Sequence, residues 1–117
     1  MKSAFRISAV TIACLFAGAA GAAPPAAFGA CGACHSLDGA TGLGPTLKGV
    51  YGRKSGSLKG FAFSPAMKKA GVTWDDKSLD GFLTDPQKAV PGNVMPFPGV
   101  SDAKQRAEII DFLKTAK

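Results

Sequence analysis

The stretch Cys31-Gly32-Ala33-Cys34-His35 decides the fold, because it places two thiols and an imidazole within five consecutive residues. Two thiols separated by two residues on a helical turn can each form a thioether bond with a vinyl group of one haem. The residue after the second thiol then turns its imidazole under the iron, while the small residues between the thiols let the backbone lie close to the ring. We therefore interpret the string as the attachment signature of a covalently bound haem.

Two other kinds of site also use closely spaced cysteines. A redox-active C-x-x-C pair is embedded in a strand–helix unit, but no strand pattern precedes Cys31. A structural zinc ion takes four ligands of the Cys or His type. After removal of the N-terminal leader described next, Cys31, Cys34 and His35 are the only such ligands that remain. The sequence therefore favours haem over a dithiol redox site and over zinc.

The first 22 residues have the three-part pattern of a cleaved export signal. Two basic residues precede an apolar run over 7–19, and Ala20-Gly21-Ala22 supplies the small residues that a signal peptidase recognises. The run is shorter than the ~20 apolar residues that a membrane-spanning helix needs. We predict a signal peptide over residues 1–22, cleavage after Ala22, a mature domain over residues 23–117 and a periplasmic location.

Export changes the charge and the cysteine count of the domain. Removal of Lys2 and Arg6 from the 14 basic residues leaves 12 against 8 acidic ones, which lowers the formal net charge from +6 to +4. Cys14 is removed as well, so Cys31 and Cys34 are the cysteines of the mature chain. The 95 residues left of the 117 are expected to form one domain. A chain of this size buries a small core, and we expect a bound group to fill part of its interior.

Start and stop signals predict a few helices joined by long loops. The expected helices run from Pro25 towards the cysteines, from Ser64 to Lys69, from a capping box at Thr73–Asp76 to Asp85, and from Ser101 or Asp102 to the C-terminus. No segment shows a convincing strand alternation. The predicted fold class is therefore all-α. Long loops in a compact domain often serve a function or wrap a ligand.

The last of these helices has an amphipathic pattern. Apolar residues recur along it at intervals of three and four, at Ala103, Ala107, Ile110 and Leu113. Such a stripe is typical of a helix that buries one face against the core. We expect these four side chains to face the interior.

The two methionines of the mature chain, Met67 and Met95, are candidates for a sulfur ligand opposite the histidine. Met67 falls in a short predicted helix, where a methionine ordinarily fills space in the core. Met95 falls in an irregular loop that is stiffened by Pro91, Pro96 and Pro98 and is suited to hold one side chain still. We therefore favour Met95 as the second axial ligand. A thioether opposite histidine raises the reduction potential and closes the iron to small molecules.

Further short motifs occur in order along the mature chain: Cys31 to His35, Gly44-Pro45-Thr46-Leu47, Gly52-Arg53-Lys54, Trp74, Asp85-Pro86 and Pro91-Gly92-Asn93-Val94-Met95-Pro96-Phe97. Together they resemble the class I c-type cytochromes, and most of all the bacterial relatives of mitochondrial cytochrome c. The resemblance implies the small class I cytochrome c fold, in which a few helices and long loops surround one haem. That haem c would be attached through Cys31 and Cys34, with His35 and Met95 as its axial ligands.

The resemblance implies roles for four further residues. Pro45 would accept a hydrogen bond from the far ring nitrogen of His35 through its carbonyl oxygen. Trp74 would donate a hydrogen bond to a buried haem propionate, and Arg53 would lie near that propionate and balance its charge. Phe97 would pack beside the haem edge.

The resemblance also places two apolar residues and exposes three departures. Phe28 and Leu113 would sit where the first and last helices cross. Phe63 and Phe82 stand where mitochondrial-type proteins usually have tyrosines, one donating to a propionate and the other to the ligating sulfur. Asn93 replaces a threonine in the ligand loop. Loss of the two hydroxyl donors leaves fewer hydrogen bonds around the propionates and the sulfur.

With both axial positions taken, the resemblance implies a soluble periplasmic carrier of single electrons rather than an enzyme. The implied partners are membrane or periplasmic redox complexes, namely a cytochrome bc-type reductase, a terminal oxidase or a periplasmic dehydrogenase, and we expect a monomer. The alternative is a peroxidase-like haem enzyme or a gas-binding c-type protein with an open iron. Gas-binding bundles, however, carry C-x-x-C-H near the C-terminus. Scattered lysines and export argue against nucleic acid as a partner.

The face used for docking is expected to be mainly apolar. The mitochondrial relatives ring the exposed haem edge with lysines, and such a ring steers partners electrostatically. In this chain the run 25–30 carries no charge, and only Lys88 clearly matches a position of that ring.

Overall fold

The computed structural model describes residues 21–117, so the predicted leader over residues 1–22 lies outside the described residues except at its last two positions. A 3₁₀ turn, Ala26–Phe28, continues directly into α1, Gly29–Gly32. The later helices are α2 (Pro65–Lys69), α3 (Asp76–Thr84), α4 (Pro86–Ala89) and α5 (Ala103–Thr115). The range 21–117 contains no β-strand, which agrees with the predicted all-α class. Within the same range, no helix is long and apolar enough to cross a membrane.

The short helices α2 and α4 begin in the same way, with a capping side chain followed by proline. The Ser64 hydroxyl accepts the N–H of Met67 at 3.1 Å, and the Asp85 carboxylate accepts the N–H of Lys88 at 3.1 Å. Proline suits the first helical position because its missing N–H has no partner there in any case. The sequence did not predict α4, because Asp85-Pro86 was interpreted only as a stop. In the structure, extended Asp85 ends α3 and starts α4.

The capping box of α3 lies two residues later than the sequence predicted. The Asp75 carboxylate accepts the N–H of Ser78 at 2.8 Å, and the Ser78 hydroxyl accepts the N–H of Asp75 at 2.8 Å. Thr73 cannot start the helix, because Trp74 is tied to the preceding loop. Its N–H donates to Arg53 at 3.0 Å, and its carbonyl oxygen accepts from Gly52 at 2.7 Å. These bonds hold the backbone before Asp75 extended.

The buried face of α5 differs from the predicted stripe. Ile110 and Leu113 are buried as expected, but Ala103 and Ala107 are exposed. The buried face consists of four large side chains in the second half of the helix: Ile109, Ile110, Phe112 and Leu113. Large side chains gain more from burial than alanine, so they decide which face of the helix packs inward.

The N-terminal and C-terminal helices pack against each other through aromatic residues. The rings of Phe28 and Phe112 lie 4.9 Å apart in an edge-on arrangement with an interplanar angle of 66°. Phe28 and Leu113, which were expected at this crossing, are both buried. A second edge-on pair, Trp74 and Phe82, has ring centroids 5.1 Å apart. Such aromatic pairs stabilise a fold beyond the area that they bury.

Arg106 joins α5 to α3 and to the chain that leads into α5. Its Nε lies 2.7 Å from a carboxylate oxygen of Asp80, and its Nη1 donates to the carbonyl oxygens of Val100 and Ser101, each at 2.9 Å. The planar guanidinium suits several fixed acceptors at once. This contact anchors the end of the loop that carries Met95.

Candidate functional site

The interior contains a cavity of about 430 Å³. This volume falls in the range of ~300–1,000 Å³ typical of ligand and cofactor sites. Its walls are formed largely by apolar side chains, including Phe28, Leu47, Val50, Leu79, Phe82, Leu83, Ile109 and Leu113. All of these residues except Leu47 belong to the buried core of the domain, and Leu47 packs against it, so whatever fills the cavity completes the core.

All eight residues that the sequence assigned to cofactor binding line this cavity: Cys31, Cys34, His35, Pro45, Arg53, Trp74, Met95 and Phe97. They come from segments far apart in the chain. The structure therefore brings the complete set together at one place. Met67, the methionine not favoured as a ligand, lines the cavity too.

The two cysteines lie on one helical turn at the edge of the cavity. The N–H groups of Cys34 and His35 both donate to the carbonyl oxygen of Cys31, at 3.1 and 2.9 Å. The two cysteines are not joined by a disulfide bond; Cys31 is buried and Cys34 is half-buried. Burial raises the pKa of the Cys31 thiol above its ordinary value, because a thiolate would lose its hydration. The turn thus presents two cysteine sulfurs and one imidazole to the same space.

His35 is held by the segment that follows it. Its Nδ1 donates a hydrogen bond of 2.6 Å to the carbonyl oxygen of Pro45. A carbonyl oxygen can only accept, so Nδ1 carries a proton, and the tautomer of the neutral ring is the one whose lone pair lies on Nε2. A hydrogen bond of this kind fixes the tautomer and the ring plane of a metal-binding histidine.

Gly44 contributes to the same arrangement, although sequence reasoning placed it in a motif and assigned it no role of its own. A Cβ atom at Gly44 would lie 2.5 Å from Cε1 and 2.7 Å from Nδ1 of His35. The backbone N–H of Gly44 donates to the carbonyl oxygen of Cys34 at 2.9 Å. The main chain at this glycine therefore lies directly against the imidazole ring. No signal in a single sequence reports such an approach between two loops.

The loop that carries Met95 is fixed from within. Gly92 has a φ of 86°, a conformation that favours glycine. The Met95 N–H donates to the side-chain oxygen of Asn93 at 3.0 Å, and the Phe97 N–H donates to the Met95 carbonyl oxygen at 2.9 Å. Met95 is half-buried and packs against the core. The loop thus presents its thioether to the cavity from an ordered backbone.

Arg53 and Trp74 form a polar corner of the cavity. The Arg53 guanidinium donates to the carbonyl oxygens of Lys48 at 3.1 Å and Thr46 at 2.9 Å. Partial burial lowers the pKa of this guanidinium, although arginine stays protonated in proteins. The Trp74 N–H of the backbone donates to Arg53, which keeps the two residues adjacent. Lys54, which the sequence did not single out as a binding residue, lines the cavity as well.

The two phenylalanines that replace tyrosines also line the cavity. Phe63 packs edge-on against Phe61 with ring centroids 4.8 Å apart, and Phe82 packs against Trp74. Neither side chain has a hydroxyl group. Neither side chain can therefore donate a hydrogen bond into the cavity.

The cavity opens to the surface beside two exposed apolar residues. Leu43 is 86% exposed and Val94 is 75% exposed, and both line the cavity. Leu43 lies in the loop after His35, and Val94 directly precedes Met95. Large apolar side chains with this exposure mark a candidate contact surface.

Comparison with known proteins gives the same family from sequence and from structure. The cytochrome c family model matches residues 22–117. Cytochrome c2 iso-2 of Magnetospirillum molischianum is 46% identical over 84 residues, which cover 71% of this chain and 87% of that protein. Cytochrome c of Euglena viridis is 48% identical over 82 residues, covering 70% of this chain and 80% of that protein.

A solved structure agrees with these relatives. Cytochrome cH from Methylobacterium extorquens superposes with a TM-score of 0.73 at 53% identity, covering 76% of this chain and 91% of that chain. The chain belongs to the cytochrome c family. It is a class I c-type cytochrome with one covalently attached haem c, for which Cys31 and Cys34 supply the thiols, and it is an electron carrier rather than an enzyme.

Proposed function

We propose that this protein is an exported carrier of single electrons whose haem iron is bound between His35 and Met95. The observation that supports this most strongly is the pairing of His35 with Pro45. Because Nδ1 donates to the Pro45 carbonyl oxygen at 2.6 Å, Nε2 is the nitrogen left for a metal. Met95 lines the same cavity on a loop held by its own hydrogen bonds.

The chain's residues explain how such a site limits the chemistry to electron transfer. The haem supplies the one-electron couple of its iron. His35 and Met95 would both bind the iron and so would leave no open position for small molecules. Leu79, Phe82 and Leu83 line the same cavity as Met95, and their apolar side chains would limit the access of water to its sulfur. A thioether ligand in a dry site favours the reduced state and raises the potential.

The polar corner would hold an anionic propionate of the haem. Arg53 supplies a positive charge that burial keeps poorly hydrated. The Trp74 side chain lines the same cavity, and its indole N–H can only donate a hydrogen bond. A carboxylate placed here would satisfy this donor and balance the arginine, since hydrogen bonds to charged groups are the stronger kind.

Electrons would enter and leave where the cavity reaches the surface. Phe97, Leu43 and Val94 lie there, beside the attachment cysteines. The partners would be larger redox complexes: a cytochrome bc-type reductase, a terminal oxidase or a periplasmic dehydrogenase. The leader pattern of residues 1–22 supports a periplasmic location, and the domain would act as a monomer.

A potentiometric titration of the purified holoprotein tests this function. We expect one reversible one-electron step and no carbon monoxide binding to the reduced protein, because the iron has no open position. Carbon monoxide binding by the unmodified protein, or turnover of peroxide, would instead indicate an open iron site and an enzymatic or gas-binding role.

A further inference from the structure

Asn93 is a buried polar residue whose side chain is fully used in hydrogen bonds. Only 6% of the residue is exposed. Its Nδ2 donates to the carbonyl oxygens of Pro86 at 2.8 Å and Val90 at 2.9 Å. Its Oδ1 accepts the N–H of Met95 at 3.0 Å. The amide therefore connects helix α4 directly to the backbone of Met95.

The orientation of this amide is fixed by chemistry. Nδ2 faces two carbonyl oxygens, which can only accept, and Oδ1 faces an N–H, which can only donate. Rotation of the amide by half a turn would place oxygen against oxygen and N–H against N–H. A carboxylate of the same shape would keep the bond to Met95 and lose both bonds to α4. A hydroxyl has one proton and could serve at most one of the two carbonyl oxygens.

Both ends of this connection are themselves anchored. Pro86 is fully buried, and α4 is capped by Asp85, so the carbonyl oxygens that receive Nδ2 belong to a fixed element. On the outer side, Gln87 Nε2 donates to the Asn93 carbonyl oxygen at 2.8 Å. The Asn93 N–H donates to Val90 at 3.1 Å. Each polar group of Asn93 thus binds a neighbour in the loop or in α4.

We propose that Asn93 is the positioning residue for Met95: its amide ties the Met95 backbone to α4 and keeps the thioether on the iron. The inference rests on the proposed ligation by Met95. With Phe82 in place of a tyrosine, no hydroxyl from that position supports the sulfur. Asn93 holds the ligand through its main chain instead. Loss of this tie lets the loop open and the methionine leave the metal more often.

Stopped-flow binding of imidazole to the oxidised holoprotein measures this opening. At saturating imidazole, the rate of binding is limited by departure of the methionine. The variants are Asn93→Asp, which keeps the shape and the bond to Met95, and Asn93→Ser, which is small and keeps one hydroxyl. We expect each to bind imidazole about tenfold faster than the unmodified protein. The loss of a buried hydrogen bond typically lowers stability by an amount that corresponds to a change of about this size, and here it would destabilise the closed loop that holds Met95 on the iron.

Ser55→Ala is the matched control. Ser55 is 4% exposed, and its hydroxyl accepts the N–H of Val72 at 3.1 Å, so the variant also loses one buried hydrogen bond, but in another loop. We expect it to change the imidazole rate by less than about twofold, since distant sites act independently. The weak far-red absorption band of sulfur–iron ligation, recorded first, shows that methionine is bound.

The outcomes separate this inference from the proposed function. Faster imidazole binding in the two Asn93 variants, with an unchanged control, supports the positioning role. If the far-red band is present but both Asn93 variants bind at the unmodified rate, or Ser55→Ala accelerates binding equally, the role of Asn93 is wrong and the ligation stands. If the unmodified protein lacks the band, the ligation and the inference are both wrong.

Discussion

The carbonyl oxygen of Pro45 accepts a hydrogen bond of 2.6 Å from Nδ1 of His35, although the two residues lie ten positions apart in the chain. The bond shows that Nδ1 carries a proton, and it leaves Nε2 as the ring nitrogen that can bind a metal. It also explains why the residue before Pro45 is glycine. The chain must pass flat against the imidazole to bring the proline carbonyl oxygen within reach.

Substitution Gly44→Ala is expected to disturb the histidine. Its Cβ would meet the ring of His35 at 2.5 Å, closer than real contacts allow. Either the ring or the loop has to shift, and overpacking of this kind typically costs about 1–3 kcal/mol of unfolding free energy. Denaturant unfolding of the holoprotein measures the change.

Gly81→Ala provides the matched control for this substitution. A Cβ at Gly81 has nothing within 4 Å, and the residue lies inside helix α3. Alanine there is expected to stabilise the protein by ~0.5–1 kcal/mol, because glycine is unfavourable within a helix. Equal effects of the two substitutions would contradict the close approach at Gly44.

Features that lie within one short stretch of the chain could be predicted from the sequence, whereas contacts between separate loops could not. The cysteines and His35 form a contiguous signature, and the proline-stiffened loop marks Met95 out from Met67. The close approach of Gly44 and the bonds of Asn93 to α4 depend on how separate loops meet. Asn93 was visible only as a departure from a threonine.

The errors in secondary structure have the same origin. The capping box was placed too early because the hydrogen bonds that hold Trp74 extended come from residues 52 and 53. The sequence predicts that Ala103 and Ala107 belong to the buried face of α5. In the structure, Phe112 belongs to that face instead, because it packs on Phe28 near the N-terminus of the domain. Periodicity predicted the helix correctly, but tertiary contacts selected its buried face.

Asp75 should make the stability depend on pH. Hydrogen bonds from the Ser78 backbone and side chain hold the pKa of the Asp75 carboxyl below its ordinary value. Because the folded pKa is the lower one, the stabilisation is present above the unfolded value near ~3.9 and is lost as pH falls through the folded pKa. Asp75→Ala should therefore lower the denaturation midpoint at neutral pH. The difference in midpoint between this variant and the unmodified protein should become smaller in acid.

The matched variant for this test is Ser78→Ala. It removes the side-chain partner and keeps the backbone N–H that donates to Asp75 at 2.8 Å. We expect Ser78→Ala to lower the denaturation midpoint at neutral pH by less than Asp75→Ala does. We also expect its difference from the unmodified protein to depend less on pH. A gap between Asp75→Ala and the unmodified protein that stays constant down to acidic pH would show that the carboxylate charge is unimportant.

The haem is expected to be part of the folding core. The cavity of about 430 Å³ is lined by most of the residues that form the core, so without the haem these residues lack packing on the side that faces the cavity. The double variant Cys31→Ala/Cys34→Ala should give little folded protein, as judged by far-ultraviolet circular dichroism. The unmodified chain produced without haem attachment should behave in the same way. A haem-free chain with native helicity and a cooperative melt would contradict this expectation.

Docking should depend on apolar contact more than on charge. Leu43 and Val94 are the exposed large apolar residues of the described chain and flank the cavity. The rate of electron transfer to the physiological partner should change little between ionic strengths of about 10 and 300 mM, a range over which the screening length shrinks several-fold. Leu43→Ser and Val94→Ser should slow transfer at every ionic strength, whereas Lys104→Ser on α5 should not. A fall of about tenfold with added salt would mean that charges steer docking.

The most direct test of the account is the far-red absorption of the oxidised holoprotein, where a weak band reports sulfur–iron ligation. We predict this band in the unmodified protein and in Met67→Leu. Met95→Ala should lose it while keeping its attached haem, bind azide or carbon monoxide, and show a lower reduction potential. A band that survives in Met95→Ala and disappears in Met67→Leu would contradict the assignment of the iron to His35 and Met95.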